Sequence, residues 1–417
     1  MLLLENVNLF IGFARMGNVS HQKNKQLLFR LFPVFLIIYE FCTNMSNDMY
    51  LPALPMIAAD FSIPIHLVQL TITAWLAGDT AVQLIVGPLS DRFGRRPILF
   101  GGGVIFLLAT LGCALAPSLG LLIVFRFLQG IGVCTMMVSG YASIHDLYND
   151  REAIHILVWM GTAAVLAPAI GPVLGGVLLL VTDWRMTFLS LFALGVISLT
   201  ALWFCMPEST SLQSRQSLKI KTLVSSYRKI IGNLPFMISA SSFGLLYGGI
   251  MGWITTSPFI LISTLQMTPA QFGYLQFPIF GAYIIGAQLV KQLTDKRNLN
   301  SLIQSGLIVS FLSGVALIIF SFLAPNNYLS YVIPMTGYTF GFGFAAAPLN
   351  RITLTATSEQ KGTAMAVFYL IMIGAGTLIS LILSISKETT FFPSLVIAAA
   401  VSLGFVLNVI RHRQVKA

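Results

Sequence analysis

Long apolar runs broken by short polar joints dominate the chain. Twelve such runs lie at about 27–52, 67–89, 97–116, 120–144, 154–181, 184–206, 234–262, 271–290, 300–323, 328–356, 361–385 and 391–410. The hydrocarbon core of a bilayer needs about 20 residues of helix. The runs lack the period-two alternation of a membrane barrel. The pattern predicts an all-α membrane protein with twelve transmembrane helices. The joints are short except 207–233, which separates two sets of six runs. The expected organisation is an N-terminal segment 1–26, a six-helix half 27–206, a linker 207–233, a second six-helix half 234–410 and a tail 411–417. An internal echo supports duplication: Val86-Gly-Pro-Leu-Ser-Asp91-Arg92 follows the second run, and Val290-Lys-Gln-Leu-Thr-Asp295-Lys296 follows the eighth, 204 positions on.

Composition sharpens this picture. Of 417 residues, 9% are charged and 56% hydrophobic, against about 25% charged in soluble proteins. The net charge of +10 has a topological origin. With both termini on one side, twenty of the 24 Lys and Arg fall in the joints on that side or at the run ends beside them, Arg185 and Lys387 at the other side, and Arg126 and Arg351 deeper within runs. The positive-inside rule therefore places both termini in the cytoplasm and leaves no reason to expect a nucleic-acid partner. Residues Met1 to Arg15 carry Glu5 and no small-residue cleavage site, unlike a signal peptide; Met1 and Met16 both stand as starts. The four cysteines have no paired spacing, so neither a metal site nor a disulfide is expected.

The candidate chemistry lies where polar groups interrupt the runs. Tyr39-Glu40-Phe-Cys-Thr-Asn44-Met-Ser-Asn47-Asp48-Met49 puts two carboxylates in the first run. An ionised carboxylate in a spanning helix costs several kcal/mol, so such a residue is a functional candidate. Glu40 falls at the middle of the run; Asp48 is about 12 Å further along and roughly 80° round the helix. Asp79 lies near the centre of the second run, at the expected depth of Glu40, where it either couples to Glu40 by sharing a proton or bonds to a neighbouring helix. Arg126, in Arg126-Phe-Leu-Gln129-Gly130, either pairs with Asp48 or snorkels to the interface.

Two further blocks have mechanical readings. Gly87-Pro-Leu-Ser-Asp91-Arg92-Phe-Gly94-Arg95-Arg96 fills a tight joint. Gly87 and Gly94 would allow close approach or unusual dihedrals, and Asp91 would pair with arginines or cap a helix. Such a knot forms a conformational latch, or else is an ordinary basic loop. The fifth run holds Pro168, Gly171, Pro172, Gly175 and Gly176. Prolines bend helices, and Gly-x-x-x-Gly permits tight helix contact, which together suit a sliding seal.

These blocks, with Asp48-Met-Tyr-Leu-Pro52-Ala-Leu-Pro55, resemble the signature motifs of the major facilitator superfamily, in particular its twelve-helix drug/proton antiporters. The 39–49 run and Leu275-Gln-Phe-Pro-Ile-Phe280-Gly-Ala282 resemble the MdfA-type multidrug antiporters. The likeness spans about 20–410. It implies that Glu40 and Asp48 are the proton- and substrate-responsive acids, that Arg126 takes part in coupling, that Asp91 belongs to an inner latch, and that the fifth-run block is an antiporter motif. It also implies a bacterial inner membrane, protons and small molecules as partners alongside membrane lipid, and function as a monomer. Asp79 stands where the family usually carries a small or apolar residue, and Asn44 where an aromatic is expected.

No phosphate-binding Gly-x-x-x-x-Gly-Lys loop, His-Glu-x-x-His or Gly-x-Ser-x-Gly occurs, so neither ATP hydrolysis, a cofactor nor enzymatic activity is expected. The histidines sit at run ends, away from any buried proton relay. Adaptable apolar binding is suggested by Met49, Met137, Met160, Trp253, Phe280 and Tyr283, with Asn44, Asn47 and Arg351 as polar cavity candidates. The expected function is proton-coupled export of lipophilic, often cationic compounds by alternating access. The alternative is a selective metabolite or siderophore transporter on the same scaffold.

Overall fold

The computed structural model describes residues 21–209, 220–294, 296–386 and 391–416. Both alternative starts, Asp295 of the internal echo, the linker residues Arg215 and Lys219, and Lys387 lie outside them. Twelve long helices follow the twelve runs: α1 (His21–Asp48), α2 (Leu70–Phe93), α3 (Arg95–Leu115), α4 (Leu119–Leu147), α5 (Asp150–Leu178), α6 (Arg185–Cys205), α7 (Leu234–Pro258), α8 (Pro269–Leu293), α9 (Leu299–Leu323), α10 (Leu329–Thr355), α11 (Lys361–Ile385) and α12 (Phe391–Lys416). Among the described residues, ten helical segments are long and apolar enough to cross a membrane; α1 and α10 complete the set of twelve long helices.

The polar joints start the helices locally. Ser118, Asn149, Asn233 and Asn298 accept hydrogen bonds from backbone amides at the N-termini of α4, α5, α7 and α9, and Thr268 with Gln271 forms a capping box on α8, satisfying donors that a helix start leaves free. Glycines let the helices close. A Cβ on Gly78 would lie 1.9 Å from the Phe127 carbonyl oxygen and one on Gly130 2.0 Å from that of Trp75, which joins α2 to α4. Gly286 and Gly343 do the same for α8 and α10. The packing repeats with an offset of six helices: α2 on α4, α3 on α4, α1 on α5 and on α6, and α3 on α6 recur as α8 on α10, α9 on α10, α7 on α11 and on α12, and α9 on α12.

The two sets meet through a matched pair of contacts, α5 on α8 and α2 on α11. α5 crosses α8 near the end away from the basic loops. There a Cβ on Gly176 would lie 2.4 Å from the Pro269 carbonyl oxygen, and one on Gly273 2.7 Å from that of Pro172. α2 and α11 are tied by Thr73 to Ser380 (2.7 Å) and Ser384 (3.1 Å), and by Thr80 to Thr377 (3.1 Å). This end is sealed by backbone-close packing.

Two local features differ from expectation. α1 ends at Asp48, short of 52, and the chain tightens into a 3-10 turn at Leu51–Ala53, because Pro52 has no N–H for the Asp48 carbonyl; Pro55 lies in the first turn of the short helix Leu54–Asp60 that follows. The linker contains a helix, Ile220–Ile231. Its Tyr227 hydroxyl donates to the Leu84 carbonyl of α2 at 2.9 Å, and Lys229 pairs with Glu359 beyond α10 at 3.2 Å. It therefore touches both sets of helices at the basic end.

Candidate functional site

A cavity of about 350 Å3 lies between the two sets of helices, on the basic side of the seal. Its first wall carries Glu40, Asn44, Asn47 and Asp48 of α1, Asp79 of α2, Met137 and Tyr141 of α4, and Pro168 of α5. Its second wall is aromatic and aliphatic: Phe243, Tyr247 and Met251 of α7, Phe280 and Tyr283 of α8, Phe342 of α10, and Phe368, Tyr369 and Met372 of α11, with Asn350 as its one amide. Phe243 sits edge-on to Phe342 (centroids 5.2 Å apart) and to Phe368 (4.9 Å), and Tyr283 to Phe342 (5.7 Å), geometries that aromatic pairs favour. Three carboxylates face this wall, and among the described residues no Lys or Arg lines the cavity.

Each acid is held differently. Glu40, 2% exposed, accepts a 2.8 Å hydrogen bond on Oε1 from the Tyr141 hydroxyl, while Oε2 has no partner. Asp79 accepts on Oδ1 from the Gln83 amide at 2.7 Å. Asp48 accepts from Asn47 Nδ2 at 3.4 Å.

Arg126 does not snorkel: it is fully buried. Nor does it form an ion pair with Asp48. Its donors go to the Ser46 carbonyl at 2.7 Å, Asn47 Oδ1 at 3.2 Å, the Thr71 carbonyl at 3.3 Å and Gln129 Oε1, and its guanidinium lies 4.3 Å from the Tyr50 ring centroid. Asn47 thus stands between Arg126 and Asp48, its oxygen toward one and its amide toward the other. A buried guanidinium without a carboxylate needs such a complete set of acceptors.

Four cavity candidates fall elsewhere. Met49 packs beside α5, its carbonyl against Gly175. Met160 is fully buried, away from the cavity wall. Trp253 points at α8, donating its indole hydrogen to Gln276 at 3.1 Å. Arg351 is exposed, and its neighbour Asn350 takes the cavity position, since one residue along a helix turns the side chain by about 100°.

The Gly-rich joint forms a polar knot at the basic end. Arg95 pairs with Asp91 and, through Nε, with Asp146 of α4 at 3.0 Å. Glu208, just beyond α6, accepts from the Arg95 backbone amide at 3.0 Å and so caps α3, a role the sequence had suggested for Asp91. Gly94 has φ +105° and faces the Glu208 carboxylate, where a Cβ would lie 2.5 Å from Oε2. Gly87 provides no close approach, its nearest prospective neighbour being Val138 Cγ1 at 3.9 Å. Arg92 stays outside the knot, exposed and over the Phe93 ring. The knot joins α2, α3, α4 and the end of α6 to one another, so among the described residues its bonds lie within one set of helices.

On α5, a Cβ at Gly171 would lie 2.9 Å from Asp48 Cβ and one at Gly175 1.8 Å from the Met49 carbonyl oxygen. The glycines expected to pack a seal therefore hold the end of α1, with Gly176 against α8 and Pro168 in the cavity wall.

Tyr141, Gln83, Asn350, Tyr247 and Tyr369 were not among the residues expected from the sequence. The signal was present for Tyr141 and Gln83, as hydrogen-bonding groups inside apolar helices, but only the fold pairs them with acids.

The family model of the Major Facilitator Superfamily matches residues 36–381. The chain is 36% identical over 339 residues to the multidrug transporter MdfA of Yersinia pestis bv. Antiqua (strain Angola), covering 81% of this chain and 82% of that one. It is 36% identical, with the same coverage, to MdfA of Escherichia coli O6:H1, and 33% identical over 337 residues to that of Edwardsiella piscicida. Among solved structures it resembles the xylose transporter XylE from E. coli in a partially occluded inward-open conformation, with a TM-score of 0.70 at 14% identity over 90% of this chain and 95% of that one. A D-xylose–proton symporter gives 0.72 at 15% identity, over 94% and 97%. With the fold, the motifs and these matches in agreement, the chain belongs to the major facilitator superfamily.

Proposed function

We propose that this protein is a proton-coupled exporter of lipophilic cations. The observation that carries the reading is the asymmetry of the cavity: three carboxylates and no cation on one wall, an aromatic wall opposite. Such a site attracts a positive charge by Coulomb and cation–π forces, and an apolar body by burial. Its relatives named as multidrug transporters support the same reading.

Glu40 is the proton-exchanging acid. A proton or a cation can neutralise its carboxylate, but the buried site does not accommodate both charges at once. Binding a cation therefore expels the proton, and reprotonation expels the cation. Asp48 couples this exchange to the helix seam through Asn47 and Arg126. Both termini lie in the cytoplasm, so the basic end is the cytoplasmic side of a bacterial inner membrane and the sealed end faces outward. Residues 27–206 and 234–410 are the halves that rock about the cavity, with 207–233 linking them, and one copy of the chain suffices.

The experiment is a pH-gradient assay in proteoliposomes with tetraphenylphosphonium. The reading predicts cation movement driven by the gradient and cation-stimulated proton flux in the opposite direction. Cation movement without proton counterflow would remove antiport from the account.

A further inference from the structure

We propose that Asp79 and Glu40 together form a dication subsite, so that the protein exports compact aromatic dications as well as monocations. The inference rests on the proposed cation/proton exchange and narrows its substrate class.

Three acids line one cavity, but their neighbours divide them. Asp48 reaches Arg126 through Asn47, which accepts from the guanidinium at 3.2 Å and donates to the carboxylate at 3.4 Å. Asp79 and Glu40 have only neutral donors. Gln83 Nε2, at 2.7 Å, orients the Asp79 carboxyl. Tyr141 orients that of Glu40 at 2.8 Å, leaving Oε2 buried and without a partner. No ion pair among the described residues uses either acid. Both are therefore left to be neutralised by whatever occupies the cavity. They come from different helices, α1 and α2, which sets them apart along one wall. The opposite wall offers the edges and faces of Phe243, Phe342 and Phe368. At about 350 Å3 the space suits a small planar molecule.

The charge balance follows. As a dication binds, Glu40 and Asp79 each break one O–H bond and release one proton to the solution. One dication leaves in exchange for two protons, and no net charge crosses the membrane. A monocation is exchanged for the Glu40 proton alone, Asp79 keeping its own, and that exchange is likewise electroneutral.

Methyl viologen and tetraphenylphosphonium distinguish these cases in proteoliposomes containing the full chain under an imposed pH gradient. Wild type is expected to move both, with methyl viologen transport unchanged when valinomycin and potassium abolish the membrane potential. Asp79→Asn keeps the shape and the Gln83 contact. It should slow methyl viologen at least about tenfold more than it slows tetraphenylphosphonium. Asp79→Glu should restore the dication. Equal methyl viologen rates in wild type and Asp79→Asn would overturn the proposal. So would a wild type that moves only tetraphenylphosphonium. Loss of both probes in a monodisperse Asp79→Asn would assign Asp79 to the exchange of every substrate and also overturn it. A wild type that moves neither probe would instead fail the antiport reading on which it rests.

Discussion

Tyr141 donates its hydroxyl hydrogen to one oxygen of Glu40 at 2.8 Å and leaves the other oxygen of that carboxylate without a partner. The pair joins α1 to α4 inside the cavity, and it gives Glu40 a fixed direction with one acceptor free. A hydrogen bond to a charged group is worth about 1.5–3 kcal/mol. Tyr141→Phe should therefore weaken binding of tetraphenylphosphonium by roughly tenfold or more with expression retained. An unchanged Kd would reduce the contact to packing.

Arg126 donates into α1, α2 and its own helix at once. Lysine keeps the charge but offers a point of donors in place of a planar fork. Arg126→Lys should slow cation export by about tenfold or more while the protein still inserts, because one ammonium cannot span acceptors on separate helices. Wild-type export from Arg126→Lys would show that charge alone is required.

How far the sequence disclosed this arrangement depends on what each feature needs. The twelve helices were legible because hydropathy and length decide membrane spans. Glu40, Asp48 and Asp79 were legible because a carboxylate in such a run is costly and conspicuous. Their partners were not, since Tyr141, Gln83 and Asn47 become partners only when helices pack. Met49, Met160 and Trp253 had suitable chemistry on the wrong face, and Asn350 rather than Arg351 reaches the cavity, a difference of about 100° on one helix. The helix Ile220–Ile231 was missed because its apolar positions, Ile220, Leu223, Val224, Tyr227 and Ile230, recur at helical spacing within a basic stretch that otherwise reads as a loop.

The basic-end knot suggests a kinetic role. Asp91, Arg95, Asp146 and Glu208 tie the ends of α2, α3, α4 and α6 and touch nothing in the cavity. Asp91→Asn should leave tetraphenylphosphonium affinity within a few-fold and lower turnover, because a tie of this kind biases access states without contacting the ligand. A large affinity loss, with spin-label distances across the basic end unchanged, would contradict that role.

At the far end, Asp60 accepts from Arg185 Nη1 at 2.8 Å and from the Trp184 indole at 3.1 Å. The hydrogen bond from Arg185, then that from Trp184, hold its carboxyl below the usual carboxylate range. A carboxyl held low in the folded chain stabilises it above the unfolded value, about 3.9, and loses that contribution as acid protonates the folded form. The pair is partly exposed, so its worth is at most about 1 kcal/mol. The stability difference between wild type and Arg185→Gln should be constant from about pH 8 to pH 5 and shrink below about pH 4. A difference that grew on acidification would have the wrong sign for this tie.

In the proposed cycle the Glu40 carboxylate exchanges a proton for a cation. Proton release from detergent-solubilised protein on adding tetraphenylphosphonium, followed with a pH-sensitive dye in weak buffer, tests it most directly. Wild type should release protons in proportion to cation bound, and Glu40→Gln and the Glu40→Gln, Asp48→Asn double variant markedly fewer. Release from the double variant equal to that of wild type would show that the exchanged proton comes from elsewhere.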